Sequence, residues 1–199
     1  NLHGIKRTLG ARQKAKKPLL INNLKSIIKA IDKKKIRDKA IILIGFAGGF
    51  RRSELVNINL EDIDFVSEGV KILVKRSKSD QSGEGIIKAI PYFENNEFCP
   101  VVTLKEYIKS KNIKEGKIFP ISDKTVALII KKYAKKVGLD SSGYAGHSLR
   151  SGFATTAAEL GAEERNIMAM TGHKTTQMVR RYIHEANLFK NNALNKIKI

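Results

Sequence analysis

The sequence predicts an α+β fold, mainly α-helical, with a small three-stranded antiparallel sheet at one edge. Three observations predict it. Apolar residues recur at helical spacing on both sides of a central stretch. That stretch, residues 62–90, instead holds three short runs rich in Ile and Val. The chain has 199 residues, enough for one good-sized core or two small ones. It has no run approaching the ~18 apolar residues of a membrane span.

Taken in order, residues 1–17 are basic, glycine-containing and aperiodic, and read as a linker or arm. The chain opens Asn1-Leu2-His3-Gly4, with neither a methionine nor an apolar signal segment, which reads as a fragment or a processed chain. Leu20, Leu24, Ile27, Ile28 and Ile31 form an amphipathic stripe ending near Lys33. Residues 37–47 are apolar almost all round, so that helix should be central, with Gly45, Gly48 and Gly49 closing it. No G-K-[ST] follows, so these glycines are not a phosphate-cradling P-loop. Ser53 to Val56 makes one short helical turn. Strands follow at Asp62 to Val66, Val70 to Lys75 and Ile86 to Ile90, the last entered through the turn Ser82-Gly83-Glu84-Gly85.

Pro100 opens a helix carrying Val101, Leu104, Tyr107 and Ile108. Ser122 or Asp123 caps the next, whose stripe is Val126, Ile129, Ile130, Tyr133 and Val137 and which Gly138 ends. Helices are expected over 148–160, 163–170 and 175–184. Leu188, Phe189, Ala193, Leu194 and Ile197 suggest a last short helix, placed either on its own core or on a neighbouring subunit.

Charge narrows the function. Lys and Arg number 38 against 19 Asp and Glu, a net charge of +19. Lysines cluster at Lys14 to Lys17, Lys33 to Lys35, Lys131 and Lys132, and Lys135 and Lys136. The balance favours a polyanion, with nucleic acid ahead of an anionic membrane, because no amphipathic helix sets exposed bulky apolar residues opposite the lysines. A ribosome- or RNA-associated protein would also explain the charge. The single cysteine, Cys99, allows no internal disulfide and suits a reducing compartment. One Cys and four His give no paired zinc-ligand spacing, so no zinc is expected.

The most informative residues lie between His147 and Tyr182. They read H-S-L-R (His147 to Arg150), T-G-H-K-T-T (Thr171 to Thr176) and R-R-Y-I (Arg180 to Ile183). Upstream stand G-F-R-R-S-E-L (Gly49 to Leu55) and R-S-K-S-D (Arg76 to Asp80). Arg51 and Arg150 suit a phosphate clamp, since planar guanidiniums bind two oxygens at once. Glu54, three residues after Arg51, is at the helical step that holds its guanidinium. His147 precedes a predicted helix and Arg150 lies one turn in, so both can face an anion at that helix N-terminus; Ser148 is a candidate cap. Arg52 should point elsewhere. Tyr182 is the candidate nucleophile, although Met178 and Val179 share its helical face and simple packing would also place it there. A phenol is only about one part in a thousand ionised at pH 7, so it needs a base or nearby positive charge.

As an ordered set these motifs resemble the catalytic domain of the tyrosine recombinase (phage integrase) family, from about Pro18 to the C-terminus. The resemblance implies metal-free, cofactor-free transesterification. Tyr182 would attack a DNA phosphodiester to give a 3′-phosphotyrosyl link and a free 5′ hydroxyl. His147 would handle the proton at the nucleophile and His173 would donate to a non-bridging oxygen. A hairpin lysine, Lys78 or by register Lys75, would protonate the departing oxygen. The resemblance further implies a domain over 18–199 whose N-terminal core-binding companion is absent here, and double-stranded DNA as partner. It implies four subunits on two duplexes, in which the C-terminal helix is a candidate for docking on a neighbour; the expected location is the bacterial cytoplasm, at the nucleoid. The R-S-K-S-D and G-H-K-T-T wording favours a phage or mobile-element integrase. The competing readings are a type IB topoisomerase and a non-catalytic DNA-binding protein that keeps the fold.

Overall fold

The computed structural model describes residues 16–75, 85–173 and 175–187, together with Asn195 and Ile197. The first helix, α1 (Ile21–Ala30), turns Leu24, Ile27 and Ile28 inward. A short 3-10 turn, with Asp32 accepting from the Lys34 N–H, leads into α2 (Ile36–Ala47). As its all-round apolar sequence requires, α2 is the buried axis of the molecule: Ala40, Ile41, Ile42 and Ile44 are fully inaccessible. The one-turn helix α3 (Arg52–Val56) follows at once.

Three strands, β1 (Ile63–Val66), β2 (Gly69–Val74) and β3 (Ile86–Pro91), form an antiparallel sheet in chain order. Each lies within a residue of its expected span, with Asp62 drawn into a preceding 3-10 turn. Ile63 pairs with Ile72, and Val70 with Ile90. The period-two alternation turns Val70, Ile72 and Val74 of β2 inward. On β3 the inward positions are Ile86, Lys88 and Ile90, and Ile87 faces out.

The helix α4 (Pro100–Ser110) begins with its proline, and α5 (Asp123–Lys136) is capped by Ser122, whose hydroxyl accepts from the Thr125 N–H. The motif-bearing helices are α6 (His147–Glu159), α7 (Glu164–Thr171) and α8 (Thr176–Asn187). Leu19 seats the start of the domain on α6 by donating its N–H to the Ser148 carbonyl at 2.9 Å. The main core joins α1, α2, α4, α5 and the inner sheet face. A second, small cluster of Ala154, Ala158, Ile167 and Val179 ties α6, α7 and α8 together. The expected last helix from Leu188 falls outside the described residues, apart from Asn195 and an exposed Ile197. No described helix is long and apolar enough to cross a membrane.

Candidate active site

Arg51 is placed by the way α2 stops. Gly48 caps the helix and Gly49 takes φ +54°, a left-handed conformation that costs glycine nothing. The chain then reverses and buries Phe50, leaving Arg51 in extended backbone as the N-cap of α3. Arg51 and Glu54 are therefore not one turn apart on a helix, as their spacing suggested. Glu54 instead holds the arginine at two points, accepting from its backbone N–H at 2.9 Å and from Nη1 at 2.5 Å. Arg52 does not line the pocket; it pairs with Asp123 at 3.0 Å, with its stem against Gly146 beside His147.

Arg150 reaches the same turn from α6. It is 5% exposed and donates from Nη1 to the Gly49 carbonyl at 3.0 Å. Burial pushes its pKa down to about 10; Arg51 adds to the shift, while Glu54 and Tyr182 oppose it. It therefore stays charged at neutral pH. A guanidinium kept charged in a dry setting interacts more strongly with an incoming anion than one in water.

His147 is the first residue of α6, exposed at the pocket rim. Ser148 does not cap the helix; its hydroxyl accepts from the Ala145 N–H at 3.0 Å. Desolvation, then the charges of Arg52, Arg150 and Arg51, lower the His147 pKa. His173 is placed by a second helix end. Gly172, at φ +62°, closes α7 and throws His173 into the pocket. The Thr171 hydroxyl donates to the Ile167 carbonyl at 2.6 Å, so at 2.8 Å from His173 Nδ1 it can only accept. The neutral ring thus carries its proton on Nδ1 and leaves Nε2 bare. Burial, reinforced by Arg150, Arg51 and Lys88, pushes its pKa down to about 4.

These groups meet in one pocket of about 300 Å³, lined by Arg51, His147, Arg150, His173 and Tyr182 with Ser151, Gly172 and Met178. Two guanidiniums, two imidazoles and a phenol share a wall that, among the described residues, includes no carboxylate. Tyr182 on α8 is half-buried, its ring centroid 6.1 Å from that of His173 and tilted by 30°. The other four tyrosines are engaged elsewhere. Tyr107, Tyr133 and Tyr144 are buried in the core, and Tyr92 accepts from Lys105.

Lys78 lies outside the described residues. Lys75, its alternative, forms an ion pair with Asp62. His184 is exposed at the end of α8. Sequence reasoning missed Thr171, which sets the His173 tautomer, and Lys88, which lies 2% exposed behind the arginines. Lys88 did leave a signal, as a lysine on the apolar side of an alternating strand between Ile86 and Ile90. Among the described residues no group of three or more His, Cys, Asp or Glu gathers where a metal ion could be held.

Residues 17–188 match the model of the phage integrase family. An integrase/recombinase xerD homolog of Selenomonas ruminantium is 44% identical, covering 98% of this chain and 62% of the relative. A tyrosine recombinase XerA of Pyrococcus horikoshii is 30% identical over 92% of this chain and 62% of its own length. The chain thus spans about three-fifths of these relatives. In fold it is similar to the crystal structure of a XerA recombinase, with TM-score 0.72 at 22% identity, covering 94% of this chain and 66% of that one. It is also similar to a XerH site-specific recombinase bound to palindromic difH substrate in a post-cleavage complex, with TM-score 0.73 at 18% identity, covering 92% and 54%. The family match takes in every element from α1 to α8, and the chain belongs to the phage integrase family.

Proposed function

We propose that this chain performs the strand-cleaving and rejoining step of site-specific DNA recombination of the integrase type. The observation that carries the reading is the convergence of Arg51, Arg150, His147 and His173 on the pocket that also holds Tyr182. In the reaction, the Tyr182 oxygen attacks a backbone phosphorus. A bond forms between that oxygen and phosphorus, the bond to the 5′ oxygen breaks, and the 3′ end is left as a phosphotyrosyl ester. The phenolic proton passes to His147, whose lowered pKa keeps it unprotonated at pH 7 and able to accept.

Arg51 and Arg150 bind the non-bridging oxygens as charge builds on them. His173 joins them once the diester arrives. The phosphate charge offsets the burial and the cations that keep the ring neutral, Nε2 takes up a proton from solvent, and it can then donate. The departing 5′ oxygen takes its proton from Lys78, a role carried over from the family resemblance. The ester preserves the bond energy, so a 5′ hydroxyl from another strand can reverse the step without ATP.

Double-stranded DNA is the partner in this reading, supported by the net charge of +19. Two duplexes require four chains. An apolar groove of about 470 Å³ beside the sheet, lined by Ile21, Phe46, Phe93, Phe153, Leu160 and Met170, suits the apolar segment after Asn187 of a neighbouring chain. The biological setting is a phage or mobile element acting on the nucleoid of a bacterium. The test is covalent capture. The chain is incubated with a library of nicked duplexes of randomised sequence, and denaturant-resistant protein–DNA adducts are collected. The reading expects adducts from the parent chain and none from Tyr182→Phe; adduct formation by Tyr182→Phe would refute the nucleophile.

A further inference from the structure

Lys88 has no role in the chemistry above, yet its burial demands an explanation. A lysine at 2% exposure is costly unless its ammonium is hydrogen-bonded. Here Nζ donates to the Gly48 carbonyl at 2.7 Å and to the Met170 carbonyl, and lies 4.6 Å from the centroid of the Phe50 ring. The two acceptors have matching places in the fold. Gly48 is the cap residue of α2, and Met170 is in the last turn of α7. Each therefore stands at the carboxyl end of a helix, where free carbonyls and the helix dipole favour a cation.

Gly48 precedes Arg51 by three residues, and Met170 precedes His173 by three. Between them, the Gly49 carbonyl is taken by Arg150. One ammonium on β3 thus binds both the segment that delivers Arg51 and the segment that delivers His173. We propose that Lys88 is a positioning residue for strand cleavage: it joins the carboxyl ends of α2 and α7 and so sets the spacing of Arg51 and Arg150 from His173.

It is not itself placed as a proton donor. Its ammonium faces backbone carbonyls, and it is not among the residues lining the pocket. Burial, opposed by the charge of Glu54 and reinforced by those of Arg150 and Arg51, brings its pKa down to about 7. A neutral amine keeps two N–H donors, so the link weakens with rising pH without breaking.

The inference rests on the strand-cleavage reading, and its test separates the two. Lys88→Met, close in length and without a donor, and Lys88→Arg, which restores two donors, are compared with the parent. The assay measures the rate of covalent adduct formation on a nicked duplex selected by the parent. A second duplex carries sulfur in place of the departing 5′ oxygen, a leaving group that needs no proton. Thermal melting identifies a temperature at which both variants are folded. Lys88→Met is expected to cleave about 100-fold more slowly on both duplexes, the scale of a misplacement near 1 Å, while Lys88→Arg recovers at least about tenfold of that loss.

A folded Lys88→Met that cleaves within about threefold of the parent overturns the proposal. So does one that is slow on oxygen and restored on sulfur, which would make Lys88 the proton donor. The link also has a readout free of DNA. The amides of Phe50 and Gly172, bonded to Gly45 and Met168, should exchange at least about tenfold faster in Lys88→Met, with mid-α2 amides unchanged. If the parent forms no adduct with any duplex, the cleavage reading fails, and unchanged exchange at those two amides would remove the link as well.

Discussion

The two walls of the pocket stand on unequal foundations. The cationic wall grows out of the main core. Arg51 follows the end of α2, whose central residues are fully buried, and Arg150 is itself 5% exposed and bonded to the α2–α3 turn. The opposite wall is α8 with Tyr182, held among the described residues by a small cluster of Ala154, Ala158, Ile167 and Val179, against which Ala157, Met168, Tyr182 and Ile183 pack. An ion pair on this wall, exposed Arg180 with half-buried Glu164 at 3.4 Å, adds little. The two walls divide the labour. In the proposed reaction the phosphate site is assembled before DNA arrives, whereas the proposed nucleophile, Tyr182, rides on the more lightly packed part of the fold, which should open at lower cost.

The largest loss is expected at Arg150. Arg150→Ala should slow single-turnover cleavage by about 10³-fold, since it removes a transition-state donor, and should lower the melting temperature by leaving the Gly49 carbonyl without that donor. Arg150→Lys keeps the charge without the fork and should stay at least about tenfold below the parent. Equal cleavage by Arg150→Ala and parent would remove the preformed clamp from the account.

Two apolar truncations sharpen the contrast. Ile42→Ala, in fully buried α2, should cost about 3 kcal/mol of global stability in urea unfolding and leave cleavage at 25 °C nearly unchanged. Val179→Ala removes two methyl groups from the small cluster, about 1.5 kcal/mol of burial. That loss should appear as faster amide exchange along α8 and roughly tenfold slower cleavage, with little change in the urea midpoint. If Val179→Ala shifts the global midpoint as far as Ile42→Ala does, the two walls form one cooperative unit.

Acid provides a gentler probe. The His173 pKa in the folded chain is about 4, below its ordinary 6.5. Between those values the unfolded chain binds a proton that the folded chain refuses. Stability from this group is therefore complete above pH 6.5 and lost as pH falls toward 4, by at most about 3 kcal/mol. His147, lowered as well, acts in the same direction. His173→Asn should flatten this acid limb in urea titrations at successive pH values. The smallest effect belongs to Arg180→Ala, expected to change stability by about 0.5 kcal/mol or less.

What the sequence revealed follows from which forces act locally. Helix and strand spans are legible to within a few residues because apolar periodicity is a local property, as in the Leu24, Ile27 and Ile28 stripe of α1. Arg51, His147, Arg150, His173 and Tyr182 could be singled out because their motif spacing is linear. Their meeting in one pocket depends on two left-handed glycines, Gly49 and Gly172, whose φ values no local pattern fixes. The extended backbone of Arg51, the tautomer that Thr171 imposes on His173, and the buried ammonium of Lys88 each depend on a partner distant in sequence or on the path of the chain through a turn. Lys88 shows the limit well. Its strand and its inward face are readable, but Gly48 and Met170 lie 40 and 82 residues away.

In the proposed reaction these cations surround a phosphodiester within reach of one particular phenol. The most direct measurement is to trap the adduct on a nicked duplex, digest protein and DNA, and locate the modified residue by tandem mass spectrometry. A 3′-phosphonucleotide on Tyr182, and on no other tyrosine, is the predicted result. A nucleotide found instead on the exposed Tyr92, or on any residue outside the pocket, would contradict it.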